Sequence, residues 1–104
     1  MADQASSPMT RDHILAQLRA HKPHLASQFG VADIALFGSY AREEGAEGSD
    51  IDLLVSFNGP ADARSYFGTH FYLEDLLGGS VDLVTDKALR PELRPSIERE
   101  ALHV

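Results

Sequence analysis

The sequence predicts a single α+β domain. Three short apolar runs with the length of buried strands alternate with segments in which apolar residues recur at helical spacing, in the order αα-β-β-α-β-α. The chain has 104 residues, of which 43% are hydrophobic and 24% charged, as is typical of one globular domain. We expect residues 1–9 to form a flexible tail and residues 10–104 to form the folded domain.

The first part of the domain is predicted to contain two consecutive helices. Thr10 can cap a first helix that ends near His21. Pro23 suits the first turn of a second, short helix, because proline has no N–H to offer and the first turn needs none. Gly30 is expected to end that helix in a left-handed conformation.

The remaining elements are predicted from apolar runs and from the residues that begin or end them. The predicted strands are Ile34 to Phe37, Asp50 to Phe57 and Ser80 to Thr85. Apolar residues at helical spacing predict a helix from Tyr66 to Leu77. Pro91 is expected to begin a last helix. Its apolar residues would be Leu93, Ile97, Ala101 and Leu102.

Charge and composition exclude several classes of partner. A net charge of −7 disfavours direct binding of a nucleic acid, which depends on Lys and Arg neutralising phosphates. The absence of cysteine excludes disulfides and thiolate metal sites and fits a cytoplasmic location. No apolar run approaches the length of a membrane span, so no membrane association is expected.

Three aspartates lie at or near the beginnings of two predicted strands. Side chains alternate along a strand, so Asp50 and Asp52 project from one face. Asp82 lies between two apolar residues of another predicted strand, which adjacent pairing would bring close. Clustered carboxylates repel one another unless a cation neutralises them, and magnesium prefers such oxygen ligands. Each aspartate alone could equally be a turn or strand-end residue, but together they predict a metal site.

A glycine–serine turn precedes these carboxylates. Gly38 would allow close approach of the backbone to a phosphate group, and Ser39 offers a hydroxyl and an N–H as donors. Tyr40 to Glu44 is predicted to form one helical turn, within which Arg42 could reach a triphosphate. The simpler alternatives are an ordinary strand-to-helix turn and an exposed surface arginine.

Two segments carry a resemblance to a known family. Gly38-Ser39-Tyr40-Ala41-Arg42 and Ser49-Asp50-Ile51-Asp52-Leu53-Leu54-Val55 resemble the signature of the DNA polymerase β-like nucleotidyltransferase superfamily. With the short length and the later Val81-Asp82-Leu83-Val84, the chain is similar to the minimal nucleotidyltransferases, the MNT antitoxins encoded beside HEPN toxins. The resemblance implies a small mixed β-sheet packed on helices.

The resemblance also implies a chemistry. Gly38 and Ser39 would grip the triphosphate of ATP, and Asp50 and Asp52 would ligate two magnesium ions. Asp82 would complete the metal triad and help to activate the attacking hydroxyl. The implied reaction is the transfer of AMP to a tyrosine of a partner HEPN ribonuclease toxin, which silences the toxin.

Two alternative functions stay open at this point. One is an antitoxin that only binds and occludes its toxin, and the other is a small-molecule transferase of the aminoglycoside-modifying kind. The complete set of carboxylates favours an enzyme, and the residues after Pro91 allow only one helix for binding an acceptor. We therefore expect a partner protein to supply the acceptor. Glu43 departs from the family, which usually has glycine at this position, and leaves the geometry of the turn open.

Overall fold

Four strands form one mixed sheet in the computed structural model. They are β1 (Val31–Phe37), β2 (Ile51–Phe57), β3 (Val81–Thr85) and β4 (Leu102–His103). Their order across the sheet is β3-β2-β1-β4. β1 is antiparallel to β2 and to β4, whereas β2 and β3 run parallel. The α+β fold with a small mixed sheet is confirmed.

The helices cover both faces of this sheet. They are α1 (Arg11–Phe29), α2 (Gly38–Ala41), α3 (Ala63–Leu77) and α4 (Arg94–Glu100), with a 3-10 turn at Asp86–Ala88. The structure describes residues 10–45, 49–60 and 62–104. The tail expected at residues 1–9 lies outside these ranges, as do residues 46–48 of the predicted loop. None of the described helices is long and apolar enough to cross a membrane.

α1 is one continuous helix, so the prediction of two helices was wrong. Its ends are as expected, because the Thr10 hydroxyl accepts from the backbone N–H of His13 and Gly30 has a φ of 75°. Pro23 lies in the interior, where it removes one backbone hydrogen bond at a cost of about 3 kcal/mol. Leu18 and Leu25 lie on one face on either side of the proline, and both are fully buried. Their burial, about 1.5–3 kcal/mol for each side chain, offsets that loss and holds the helix together.

The C-terminal residues also differ from the prediction. α4 begins at Arg94 rather than Pro91 and ends at Glu100, and Ala101 has the extended φ and ψ of −68° and 135°. Leu102 then pairs with Leu36 as part of β4. The helical spacing of apolar residues continues to Leu102, beyond the end of α4. The helix ends earlier because the edge of β1 offers backbone hydrogen bonds to these residues, and a longer helix would leave that edge unpaired.

Four further element starts are shifted. β1 begins at Val31, three residues before the predicted Ile34. β2 begins at Ile51 and β3 at Val81, each one residue later than predicted. α3 begins at Ala63 rather than Tyr66, because Asp62 caps it through a 2.8 Å bond from the backbone N–H of Ser65. These shifts reflect capping and pairing contacts that apolar spacing does not report.

The larger part of the core lies between the sheet and the pair α1 and α3. β2 contributes Ile51, Leu53 and Val55 to this cluster, each at most 2% exposed. The opposite face of the sheet holds a smaller cluster that includes Leu54 and Ile97 of α4. Both faces of β2 are therefore covered, and the even-numbered residues from Asp52 onward share the α4 face.

Candidate active site

Asp52 and Asp82 are neighbours at one edge of the sheet. Each is the second residue of its strand, and the register of the parallel strands pairs Asp52 directly with Asp82. Asp52 is half-buried, whereas Asp82 is exposed. The two carboxylates therefore project together from the face of the sheet that α4 covers.

This proximity changes the ionisation of Asp52. Burial, followed by the charges of Asp82 and Asp50, raises the pKa of the Asp52 carboxyl from its ordinary 3.8 to about 6. A side-chain hydrogen bond with Asp82 raises it further, and the charge of Arg42 lowers it. At neutral pH Asp52 is therefore ionised although burial and the neighbouring negative charges disfavour the ionised form. A nearby cation would stabilise the ionised form.

Asp50 lies just before β2 and is exposed. The adjacent backbone is fixed, because Ile51 donates a 2.9 Å hydrogen bond to the carbonyl of Ser80 and so aligns the starts of the two strands. Within the described ranges, no three His, Asp or Glu side chains are already arranged to hold a metal ion. Asp52 and Asp82 form the close pair, and Asp50 acts on Asp52 through its charge.

These three carboxylates fit a magnesium site by their chemistry. They supply only hard oxygen ligands, which magnesium prefers. Burial is the largest cause of the raised pKa of Asp52, and the negative charges of Asp82 and Asp50 raise that pKa further. A bound divalent cation would remove the repulsion and keep Asp52 ionised.

Gly38 lies directly against the Asp52 carboxylate. Its φ of 78° is in the left-handed region, and a Cβ added to Gly38 would collide with the carboxylate oxygen of Asp52. Phe37, the preceding residue, is paired with Asp52 across β1 and β2. Only glycine therefore allows the turn to pass so close to the acidic edge.

The helical turn begins two residues earlier than predicted, at Gly38. The backbone N–H of Arg42 bonds to the carbonyls of Gly38 and Ser39, both at 3.2 Å, and closes α2. Tyr40 and Ala41 are buried and anchor the turn to the core. Ser39, which is half-buried, thus lies in a fixed one-turn helix beside the carboxylates.

Glu100 is a residue of this site that sequence reasoning missed. Its Oε1 accepts a 3.0 Å hydrogen bond from the backbone N–H of Gly38. Arg42 Nη1 contacts Oε1 and Oε2 of the same carboxylate at 3.1 and 3.2 Å, while Arg42 Nε contacts Glu44 at 3.0 Å. Arg42 is therefore held by two glutamates, and both raise its pKa. Nothing local marks Glu100, which is 62 residues from Gly38 in the chain.

Glu43, the departure from the family pattern, has a φ of 62°. Among the described residues it is the one non-glycine with positive φ, which explains why glycine suits this position. A 2.8 Å ion pair from Arg11 Nη1 holds the Glu43 carboxylate. The turn is thus formed despite the substitution.

The basic residues after β3 lie elsewhere. Arg94 contacts Asp86 at 2.8 Å and Glu98 at 3.1 Å, so the i,i+4 pair with Glu98 is present. A groove of about 770 Å³ is lined by Lys87, Tyr66 and other residues at the far ends of β2 and β3. Because Asp52 and Asp82 lie at the beginnings of these strands, this groove and the carboxylates are at opposite edges of the sheet.

A small mixed sheet that carries a carboxylate pair beside a glycine–serine turn indicates a nucleotidyltransferase as the class of protein. The family model described as "Nucleotidyltransferase domain" matches residues 18–104, and the chain belongs to this family. The resemblance predicted from the two sequence segments is confirmed.

Two relatives cover most of the chain. A Methanocaldococcus jannaschii protein provisionally named a protein adenylyltransferase is 47% identical over 88 residues, which are 84% of this chain and 90% of the relative. Protein adenylyltransferase MntA of Thermococcus cleftensis is 40% identical over 96 residues, or 92% of this chain and 97% of the relative.

Solved structures show the same fold. A protein provisionally described as a minimal nucleotidyltransferase matches with a TM-score of 0.79 and 36% identity, covering 92% of this chain and 97% of that one. One chain in the complex of a tri-AMPylated Shewanella oneidensis HEPN toxin with MNT antitoxin matches with a TM-score of 0.56 and 24% identity, over 89% of this chain and 66% of that chain. At 24% identity the second likeness shows the fold alone.

Proposed function

We propose that this chain is a protein adenylyltransferase that acts as the antitoxin of a HEPN-type toxin. In the proposed reaction a tyrosine hydroxyl of the toxin attacks the α-phosphorus of ATP. The new bond joins the tyrosine oxygen to AMP, the bond to pyrophosphate breaks, and the hydroxyl proton passes to a carboxylate. The observation that carries the proposal is the close pair Asp52 and Asp82 beside Gly38.

Asp50, Asp52 and Asp82 would hold two magnesium ions. Bound magnesium supplies positive charge that stabilises the phosphate oxygens during in-line displacement. The three carboxylates contribute fixed negative charge at the common edge of β2 and β3. Asp82, the exposed member of the close pair, is the residue that we propose to receive the hydroxyl proton.

The turn that begins at Gly38 would bind the phosphates of ATP. The backbone N–H of Gly38 and the guanidinium of Arg42 already bind an oxyanion, the Glu100 carboxylate, in this structure. Ser39 adds a hydroxyl at the same turn. Donors arranged for one oxyanion suit another of similar size, so phosphate binding here requires no new fold.

A protein acceptor is the third element of the proposal. Relatives named as protein adenylyltransferases match over most of their own length, so they do not carry a large additional acceptor domain. We propose a HEPN-type toxin as the acceptor by analogy with the AMPylated HEPN toxin in the complex that contains a chain of the same fold. We place the reaction in the cytoplasm, in keeping with a chain that has no cysteine.

Intact-mass spectrometry tests this function. The chain is incubated with ATP, magnesium and the HEPN-type protein encoded beside its gene, and the toxin is then weighed and its ribonuclease activity measured. We expect AMP increments on a toxin tyrosine with the wild type and with Asp75→Asn, a variant at a remote exposed position. We expect no increments with Asp52→Asn. Neutralisation by Asp52→Asn without increments would instead favour a binding-only antitoxin. Activity on an aminoglycoside without any protein acceptor would favour a small-molecule transferase.

A further inference from the structure

The Glu100 carboxylate occupies an oxyanion position. One oxygen, Oε1, accepts from the Gly38 N–H at 3.0 Å and from Arg42 Nη1 at 3.1 Å, and Oε2 lies 3.2 Å from the same nitrogen. A backbone N–H and a guanidinium that converge on one carboxylate form a charge-assisted pair of hydrogen bonds. The site thus holds an internal anion.

The same donors are those that the proposed function assigns to the nucleotide. The single N–H of Gly38 cannot form strong hydrogen bonds to Glu100 and to a phosphate oxygen at once. Two anions on the same donors would also repel each other. Glu100 and the triphosphate must therefore exclude each other at this position.

We propose that Glu100 is a built-in competitor of the nucleotide phosphate, which must leave Gly38 and Arg42 before ATP can bind, and that it thereby sets the affinity for ATP. This inference rests on the proposed phosphate role of Gly38 and Arg42. It makes Glu100 a determinant of affinity, distinct from the metal-binding carboxylates.

The surrounding contacts allow this exchange without unfolding. The side chains of Arg42 and Glu100 are 46% and 32% exposed, so solvent reaches the ion pair. The backbone after Glu100 is fixed, because Leu102 pairs with Leu36 in β4. Arg42 keeps its contact with Glu44 when Glu100 leaves. Rotation of the Glu100 side chain is sufficient to release the donors.

Binding measurements on Glu100 variants test the inference. Glu100→Gln removes the charge at nearly the same shape, and Glu100→Ala removes the acceptor as well. Dissociation constants for inorganic tripolyphosphate and for ATP, each with magnesium, are measured by calorimetry. We expect both variants to bind both probes roughly two- to fivefold more tightly than wild type, the range for loss of a partly exposed ion pair. Adenosine, which has no phosphate, should bind equally to all of them.

The control is Glu92→Gln, which removes the same charge from an exposed glutamate of the preceding turn. It should leave both constants unchanged, and circular dichroism should show that every variant is folded. Equal or weaker phosphate binding by folded Glu100→Gln and Glu100→Ala would overturn the inference, and weaker binding would make Glu100 a positioning residue for Arg42. If neither wild type nor any variant bound ATP or tripolyphosphate, the proposed phosphate site itself would fail and the inference with it.

Discussion

Asp52 and Asp82 face each other across the parallel strands β2 and β3, and each is the second residue of its strand. This register places two carboxylates at one edge of the sheet. Gly38, the first residue of α2, lies against the Asp52 carboxylate there. Two adjacent carboxylates, one of them half-buried, carry an electrostatic cost when both are ionised. The metal and phosphate site that we propose rests on this arrangement.

Replacing Asp52 with asparagine should stabilise the metal-free protein at neutral pH. The pKa of Asp52 is about 6 in the folded protein, against an ordinary 3.8, so the folded state binds its proton more tightly than the unfolded chain does. Stability is therefore lost as the pH rises from about 4 to about 6, and the penalty is fully present above that. The pKa difference corresponds to about 3 kcal/mol, and solvent screening at this half-buried group reduces the expected gain to about 1–2 kcal/mol.

Urea unfolding in EDTA at pH 7.5 and at pH 4 measures this effect. The gain from Asp52→Asn should be present at pH 7.5 and nearly absent at pH 4, where the wild-type carboxyl is protonated in the folded state. Asp75→Asn, at an exposed position on α3, should change little at either pH. A gain of equal size at both pH values would show that packing, rather than ionisation, is responsible.

Replacing Asp82 with asparagine should lower the pKa of Asp52. The charge of Asp82 and its hydrogen bond both raise that pKa, but burial is the largest cause. The pKa of Asp52 should therefore fall from about 6 and still remain above the ordinary 3.8. Carbon-detected NMR titration of the Asp52 carboxyl, without metal, gives the two values. An unchanged pKa in Asp82→Asn would contradict the pairing of the two side chains.

The elements of the site that could be predicted from the sequence are those encoded by local pattern. Apolar runs located β2 and β3, and alternation along β2 separated Asp52 from the core residues Ile51 and Leu53. Asp50, which was predicted to be in the strand, lies just before it. The helix caps Thr10 and Gly30 could also be predicted, because capping is a local effect. The Thr10 hydroxyl binds a nearby backbone N–H, and Gly30 has no Cβ to oppose the left-handed conformation.

The rest depended on contacts between distant parts of the chain. Pro23 stays inside α1 because buried residues on both sides of it pack on the sheet, and Leu102 leaves the helical pattern because β1 offers a partner edge. The contact of Glu100 with Gly38 spans 62 residues and has no local signature. Local propensity is a weak guide wherever tertiary packing decides.

Gly38→Ala should damage both the fold and the activity. The added methyl group would collide with the Asp52 carboxylate, and alanine disfavours the φ of 78°. We expect a loss of about 1–3 kcal/mol in unfolding free energy, together with loss of adenylyl transfer. Ser39→Ala is the matched control, because it should leave stability within about 0.5 kcal/mol of wild type and weaken only nucleotide binding. If Gly38→Ala had the stability and the adenylyl transfer activity of the wild type, the close approach of Gly38 to Asp52 would not be needed for function.

Glu43→Gly should stabilise the turn that carries Arg42. The φ of 62° strains any residue with a Cβ, and glycine relieves this strain. The change also removes the 2.8 Å ion pair with Arg11, an exposed contact worth less than about 1 kcal/mol. The net expectation is a gain of about 0.5 kcal/mol in unfolding free energy, measured by thermal denaturation. Glu44→Gly, at the next residue, which has no positive φ, should instead lose about 0.5–1 kcal/mol. If both variants were destabilised to the same extent, the left-handed conformation of Glu43 would not be a source of strain.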